Sequence, residues 1–247
     1  MYAVDVKPGW RAVPFGIYGV TFAFVLASTA ARIIAMFGPN AWRALFLLMC
    51  IAMAALPWLV LSRAGRRQVG LQRPRQLRWL PLGLVLGLLA ATACFWFNFS
   101  LYGAGPDHPF VSVARSFRQQ PTPGFSLLQL HLMFTIVAIL FSPVGEEIFF
   151  RGFLQRVLED RHGRSRATVM QAALFALVHL CHHGILVTSA GAVVQPVSAA
   201  LWVAQMFLLS LMLAWLRRRS DSILPAIAAH AAFNLAMNHW IFTKLWT

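Results

Sequence analysis

The chain has 247 residues, of which 59% are hydrophobic and only 11% charged, with a mean hydropathy of +0.67. An ordinary soluble domain carries about 25% charged residues, so a soluble fold of this size could not hide so much apolar surface, and the bilayer must be part of its solvent. The net charge of +14 would suggest nucleic acid on a soluble protein. Here the basic residues sit between apolar runs, where topology accounts for them, and no nucleic-acid partner is expected.

Spanning the hydrocarbon takes roughly 20 residues at about 1.5 Å each. That ruler predicts helices over about 12–37, 41–61, 79–101, 126–149, 167–187, 195–216 and 223–243. The expected fold is an all-α polytopic transmembrane helix bundle of about seven spans, eight being admissible. The intervening stretches differ in character. Residues 62–78 carry six arginines, 102–125 are rich in Gly and Pro and read as an unstructured loop, 151–166 carry five arginines, and Arg217, Arg218 and Arg219 form a basic turn. With the N-terminus in the cytoplasm, 16 Lys/Arg lie inside and 4 outside, while Arg32 falls within the first span. This asymmetry predicts N-in and C-out, in a bacterial inner membrane by the compact chain and short loops. Cys50, Cys94 and Cys181 lie in apolar stretches without CxxC spacing and read as inert thiols. The whole chain, 1–247, reads as one membrane domain, with a three-helix part over 1–101 and a second part over 126–243.

Five of the seven acidic residues fall in polar connections. The other two, Glu146 and Glu147, follow an unbroken apolar run, where acids are costly and usually face a cavity or a partner. Arg151 is four residues beyond Glu147 and can meet it on one helical face. Adjacent carboxylates diverge by about 100° on a helix, so one arginine cannot serve both. A bland reading remains beside this one, in which the pair simply marks the end of the fourth helix.

His179 lies deep in the fifth predicted helix, four residues after Phe175. His230 lies in the seventh, four residues before Asn234 and on the same face. A single intramembrane histidine is commonly an interhelical hydrogen-bond partner. Two histidines, an asparagine and a glutamate pair on three helices point to one shared polar pocket. Helix direction places Glu146 in the cytoplasmic half and a site opening that way, which argues against the 103–124 loop as part of substrate access. Ser142-Pro143 can kink the fourth helix. His182 and His183 read as a polar helix end, and His131 as a packing or interfacial histidine.

These residues resemble a known family. Glu146-Glu147-Ile-Phe-Phe-Arg151 is similar to the EExxxR motif of the CPBP family, the CaaX-protease and bacteriocin-processing (Abi) intramembrane proteases. Phe175-Ala-Leu-Val-His179 is similar to its FxxxH motif and His230-Ala-Ala-Phe-Asn234 to its HxxxN motif. The resemblance covers roughly residues 126–240 and leaves the first three helices without a recognised motif. It implies an endopeptidase in which Glu146 and His179 activate a water. His230 and Asn234 would hold that water or stabilise the oxyanion, and Glu147 would support the site by pairing with Arg151, with Phe175 in support. Hydrolysis needs such a general base and such donors. The implied substrate is a membrane-anchored or lipidated protein or peptide, with membrane lipid as surroundings.

No cofactor is expected, although a zinc ion on Glu146, His179 and His230 is the alternative. The sequence has no HExxH, and these ligands would come from three helices. Outside hydrolysis, a proton-coupled transporter or a non-catalytic, immunity-type scaffold are the competing readings. The first would spread polar residues along a path across the membrane or show an inverted repeat, and the second would lack a motif residue.

Overall fold

The computed structural model describes all residues except 1–3, 14–15, 121, 189–190 and 247. It is an all-α membrane bundle whose long helices are α1 (Gly16–Phe37), α2 (Ala44–Val60), α4 (Trp79–Tyr102), α6 (Leu127–Glu146), α8 (Arg164–Val178), α9 (Pro196–Ser220) and α10 (Leu224–Trp240). Shorter helices α3 (Arg63–Gln68), α5 (Pro109–Arg118) and α7 (Gln155–His162) lie between them, and strands β1 (Ile185–Thr188) and β2 (Gly191–Val194) pair antiparallel. Among the described residues five helical stretches are long and apolar enough to cross a membrane: Gly16–Phe37, Asn40–Val60, Trp79–Tyr102, Leu127–His162 and Pro196–Ser220. Leu26, Leu59, Leu89, Leu128 and Leu208 stand exposed on the outer faces, as lipid-facing side chains do in a bundle whose backbone is satisfied within its helices.

Three sequence expectations change. The fifth helix was expected over 167–187 but stops at Val178. A tight 3-10 turn follows over His179–Cys181, and Gly184 then takes a positive φ of 114° that turns the chain into the β1–β2 hairpin. The fourth helix does the opposite. Ser126 opens it with a capping box to Gln129, and it runs on as a wider π-helical turn over Glu147–Leu154 and as α7 to His162, until Gly163 breaks it. The charged stretch 151–166 is therefore mostly helix. The loop expected over 102–125 contains α5, started by His108, whose Nδ1 accepts from the Phe110 N–H, and by Pro109 at the first turn.

The connections gather at two ends. At one, Arg217 donates to the Gln68 carbonyl, the Ile223 N–H bonds the Gly70 carbonyl, and the Val4 N–H bonds Asp160. This end carries the arginine-rich segments. At the other, Arg43 donates to the Ser116 carbonyl, Arg118 to that of Leu245, and Gln195 to Asp107. Among the described residues the chain runs between these ends seven times. Arg151 belongs to neither end, because its side chain is fully buried in the bundle.

Packing holds the motif helices close. A Cβ on Gly87 of α4 would run into the Ala229 carbonyl oxygen, so α4 and α10 touch backbone to backbone just before His230. Gly145 lies equally close to the Cys50 carbonyl of α2, which fixes the turn carrying Glu146 and Glu147. Two apolar clusters flank that turn. One is built around Phe95, Phe110, Trp202 and Phe233, and the other around Met53, Phe149, Phe153 and Phe175.

Candidate active site

Glu146 and Glu147 are both completely buried, and they do diverge. Glu147 faces α10. Its Oε1 lies 3.0 Å from Arg151 Nη1 and 2.8 Å from His230 Nδ1. The Arg151 guanidinium in turn stacks on the Phe175 ring, 3.9 Å from the ring centroid, and the same ring lies against His179 and, at right angles, His230. Phe175 is thus the apolar wall on which the cation and both histidines rest.

Glu146 faces the opposite way and has a partner that its neighbourhood in sequence does not contain. Arg32 of α1, itself buried, donates through Nη2 to Glu146 Oε1 at 2.5 Å. Ser142 Oγ, one turn back on α6, donates to the same oxygen at 3.1 Å. The guanidinium also lies 5.2 Å from the Phe46 ring centroid, and its Nη1 donates to His182 Nε2 at 3.0 Å. His182 is therefore a member of the site, not merely a polar helix end. Arg32 is the residue that the motif spacing missed, although a lone charge inside an apolar run of 22 helical residues was a visible signal.

The second oxygen of Glu146 is different. Oε2 is buried without a hydrogen-bond partner and lies 3.9 Å from His179 Nε2. His179 Nδ1 sits 2.6 Å from the Phe175 carbonyl. A carbonyl only accepts, so Nδ1 carries the proton, and in the neutral imidazole Nε2 presents its lone pair. The 3-10 turn is fixed from outside by Trp202, whose Nε1 donates to the His179 carbonyl at 3.0 Å. Two acceptors thus face each other across a gap too long for a direct bond.

Asn234 lies one turn beyond His230 on α10, and its Nδ2 donates to the Ala138 carbonyl of α6 at 3.0 Å. Glu146, His179, His230 and Asn234 all line one cavity of about 380 Å³. Its walls are apolar, with Phe134, Val137, Phe175, Met206 and Phe233, and it extends to Arg43, Ser116 and Gln120. The expectation that the 103–124 stretch stays away from the site is corrected here. The cavity runs from Glu146 back along α6 toward α5, and Val113, Ser116, Phe117 and Gln120 of that stretch contribute to its wall. His131 stacks on Phe242, with 4.6 Å between ring centroids, and stays out of the site.

Against the alternative zinc set of Glu146, His179 and His230 stands the guanidinium on Glu146 Oε1, whose charge opposes a dication. Among the described residues no group of three or more His, Cys, Asp or Glu converges as metal ligands would.

Comparison with known proteins identifies the second half of the bundle. Residues 128–236 match the model of the family described as Rce1-like, type II CAAX prenyl endopeptidase. No curated protein and no solved structure matches the chain. The matched stretch holds all three motifs, and it is the family that those motifs resemble. Over this stretch the chain is similar to a family of CAAX-type endopeptidases.

Proposed function

We propose that this chain, Rce1-like over residues 128–236, is an intramembrane endopeptidase that hydrolyses a peptide bond of a membrane-associated protein or peptide with a water held between Glu146 and His179. The observation that carries this reading is the 3.9 Å gap between Glu146 Oε2 and His179 Nε2. Two acceptors at that separation call for a molecule with two donor hydrogens, and water is the smallest one.

The chemistry follows from the partners of each atom. Arg32 and Ser142 occupy Glu146 Oε1, which leaves Oε2 for the water. As the water oxygen bonds to the scissile carbonyl carbon, its proton passes to the Glu146–His179 pair and then to the leaving amine as the C–N bond breaks. One N–H of Asn234 is engaged by Ala138. The other is free to donate to the oxyanion, a contribution typically worth about 10²–10³ in rate. Glu147, Arg151 and His230 form the support on the far side of the pair. This route needs no metal.

Fifteen Lys/Arg in the segments at one end of the bundle and four at the other, with Arg151 turned inward, support a cytoplasmic N-terminus, and the compact chain with short loops supports a bacterial inner membrane. The match of residues 128–236 to an endopeptidase family favours hydrolysis over transport.

The test is cleavage of transmembrane model peptides by the protein in liposomes. Wild type should cleave with or without chelator, and Glu146→Gln and His179→Ala should lose activity. Cleavage by Glu146→Gln at the wild-type rate would refute the mechanism, and chelator-sensitive activity restored by zinc would refute its metal-free form.

A further inference from the structure

The cavity has a direction, and the direction says where the substrate comes from. On α6 it spans Glu146 back to Phe134, about 18 Å at the helical rise. On α9 it uses Trp202 to Leu209, and on α10 His230 to Met237. These stretches are central in their helices, and the cavity continues from them only to the end of α1 (Ala35, Met36), the start of α2 (Arg43 to Leu47) and α5 (Val113, Ser116), all at the Arg43 and α5 end. At that end Arg43 donates to the Ser116 carbonyl and to Gln119, joining the start of α2 to the end of α5 where both line the cavity.

Toward the arginine-rich end the same cavity is shut. The π-helical turn after Glu146 is buried along its whole length, Glu147 to Leu154. Leu61 from the α2–α3 connection and Val69 just after α3 pack into the same cluster without exposure. Water and polypeptide would have to unpack four phenylalanine- and leucine-sized side chains to reach Glu146 from there. The charge asymmetry of the two ends makes the sealed end cytoplasmic.

We infer that the site receives its substrate from the non-cytoplasmic face of the membrane, through the end of the cavity bounded by Arg43, Ser116 and Gln120, where the Arg43 contacts to α5 part to admit it, and that the substrate is a peptide segment exposed on that face with a large apolar side chain beside the scissile bond. The apolar walls around the cavity, Phe134, Val137, Met206 and Phe233, take that side chain, while the four polar motif residues meet the backbone. Arg43, Ser116 and Gln120 meet the polar chain that leads away from it. Proteins exported across the membrane, or anchored with their polar part outside, are the class this selects. The inference rests on the peptidase reading above and adds to it a side and a substrate class.

Sidedness is read independently of activity. Gln120→Cys places a thiol at the opening, and Arg67→Cys places one on the exposed surface of α3 at the sealed end. Each variant is treated with a bulky membrane-impermeant maleimide in right-side-out and in inverted vesicles, with the unsubstituted protein as baseline. Cleavage is followed on a reconstituted model peptide with a leucine-rich junction outside or inside. Gln120→Cys should label only from outside, and its adduct should cut cleavage of the outside junction at least tenfold relative to the unlabelled variant. Arg67→Cys should label only from inside, with cleavage changed less than twofold. Labelling of Gln120→Cys only from inside, or preferred cleavage of the inside junction, would overturn the inference and leave the hydrolytic mechanism standing. Absence of any Glu146-dependent cleavage with the expected labelling pattern would instead overturn the peptidase reading, and this inference with it.

Discussion

Arg32 Nη2 meets Glu146 Oε1 at 2.5 Å, and both side chains are almost wholly excluded from solvent. The pair joins α1, which lies outside the matched family segment, to the first glutamate of the motif. Its effect is to divide the carboxylate. One oxygen is fixed by Arg32 and Ser142, and the other is left facing His179 without a partner.

Removing the guanidinium should therefore cost both stability and activity. Arg32→Gln leaves a buried carboxylate without its counter-charge, an effect of about 3–5 kcal/mol in comparable buried pairs. Arg32→Lys keeps the charge but loses the fork that reaches Glu146 and His182 together, and should be intermediate. The double variant Arg32→Gln with Glu146→Gln should regain much of the stability and none of the cleavage. Denaturant unfolding in detergent checks this, and a single Arg32→Gln as stable as wild type would show that the pair contributes nothing to the fold.

Much of the site could be read from spacing alone, and the reason is local. Glu147 and Arg151, Phe175 and His179, and His230 and Asn234 are each four residues apart, and helical geometry sets such neighbours without knowledge of the fold. What spacing could not supply were contacts made across the chain. Arg32 to Glu146 spans 114 residues and His230 to Glu147 spans 83, and these depend on which helices pack together. Hydropathy likewise found the helices but misjudged ends decided by single residues. The fourth helix runs beyond its expected end until Gly163 breaks it, while the turn at His179 ends the fifth early. The α5 helix was hidden because a short, surface-lying helix with Pro at its start looks like a loop in composition.

His179 and His230 should separate in their effects. His179 Nε2 faces the gap, so His179→Gln should lower kcat by about 10²–10⁴ while leaving the fold near wild-type stability. His230 bonds a fully buried carboxylate, so His230→Ala leaves Glu147 with one partner fewer and should destabilise by about 1–3 kcal/mol. Parallel unfolding and single-turnover measurements distinguish the two, and equal stability losses for both would contradict the assignment.

Gly87→Ala tests the backbone contact that sets His230. The added methyl would meet the Ala229 carbonyl, a backbone group that cannot swing aside. Overpacking of this kind costs about 1–3 kcal/mol, and α10 must shift to relieve it. Cleavage should fall further than the same loss of stability produces at a distant buried site such as Leu158 on α7. If Leu158→Ala and Gly87→Ala lose activity equally at matched stability, α4 does not position the histidine.

The end of the bundle around α5 should be acid-labile. His108 is buried, and burial first, with the neighbouring His183 opposing a second charge, lowers it to about 4 from an ordinary value of 6.5. Its neutral Nδ1 accepts the Phe110 N–H that starts α5, and protonation would remove that acceptor. The folded state therefore holds fewer protons than the unfolded chain between about pH 6.5 and 4. The contribution of His108 is complete above that window, declines as pH falls through it, and is constant below it. One proton of difference gives at most about 1.4 kcal/mol per pH unit. Asp107, Arg115 and His183 are the charged or titratable groups close by, and they remain in the comparison. His108→Asn keeps a side chain able to cap the helix and removes the titration, so its stability should fall less steeply than that of wild type between pH 6.5 and 4. Parallel slopes for the two proteins across that range would show that His108 is not the acid-sensitive group.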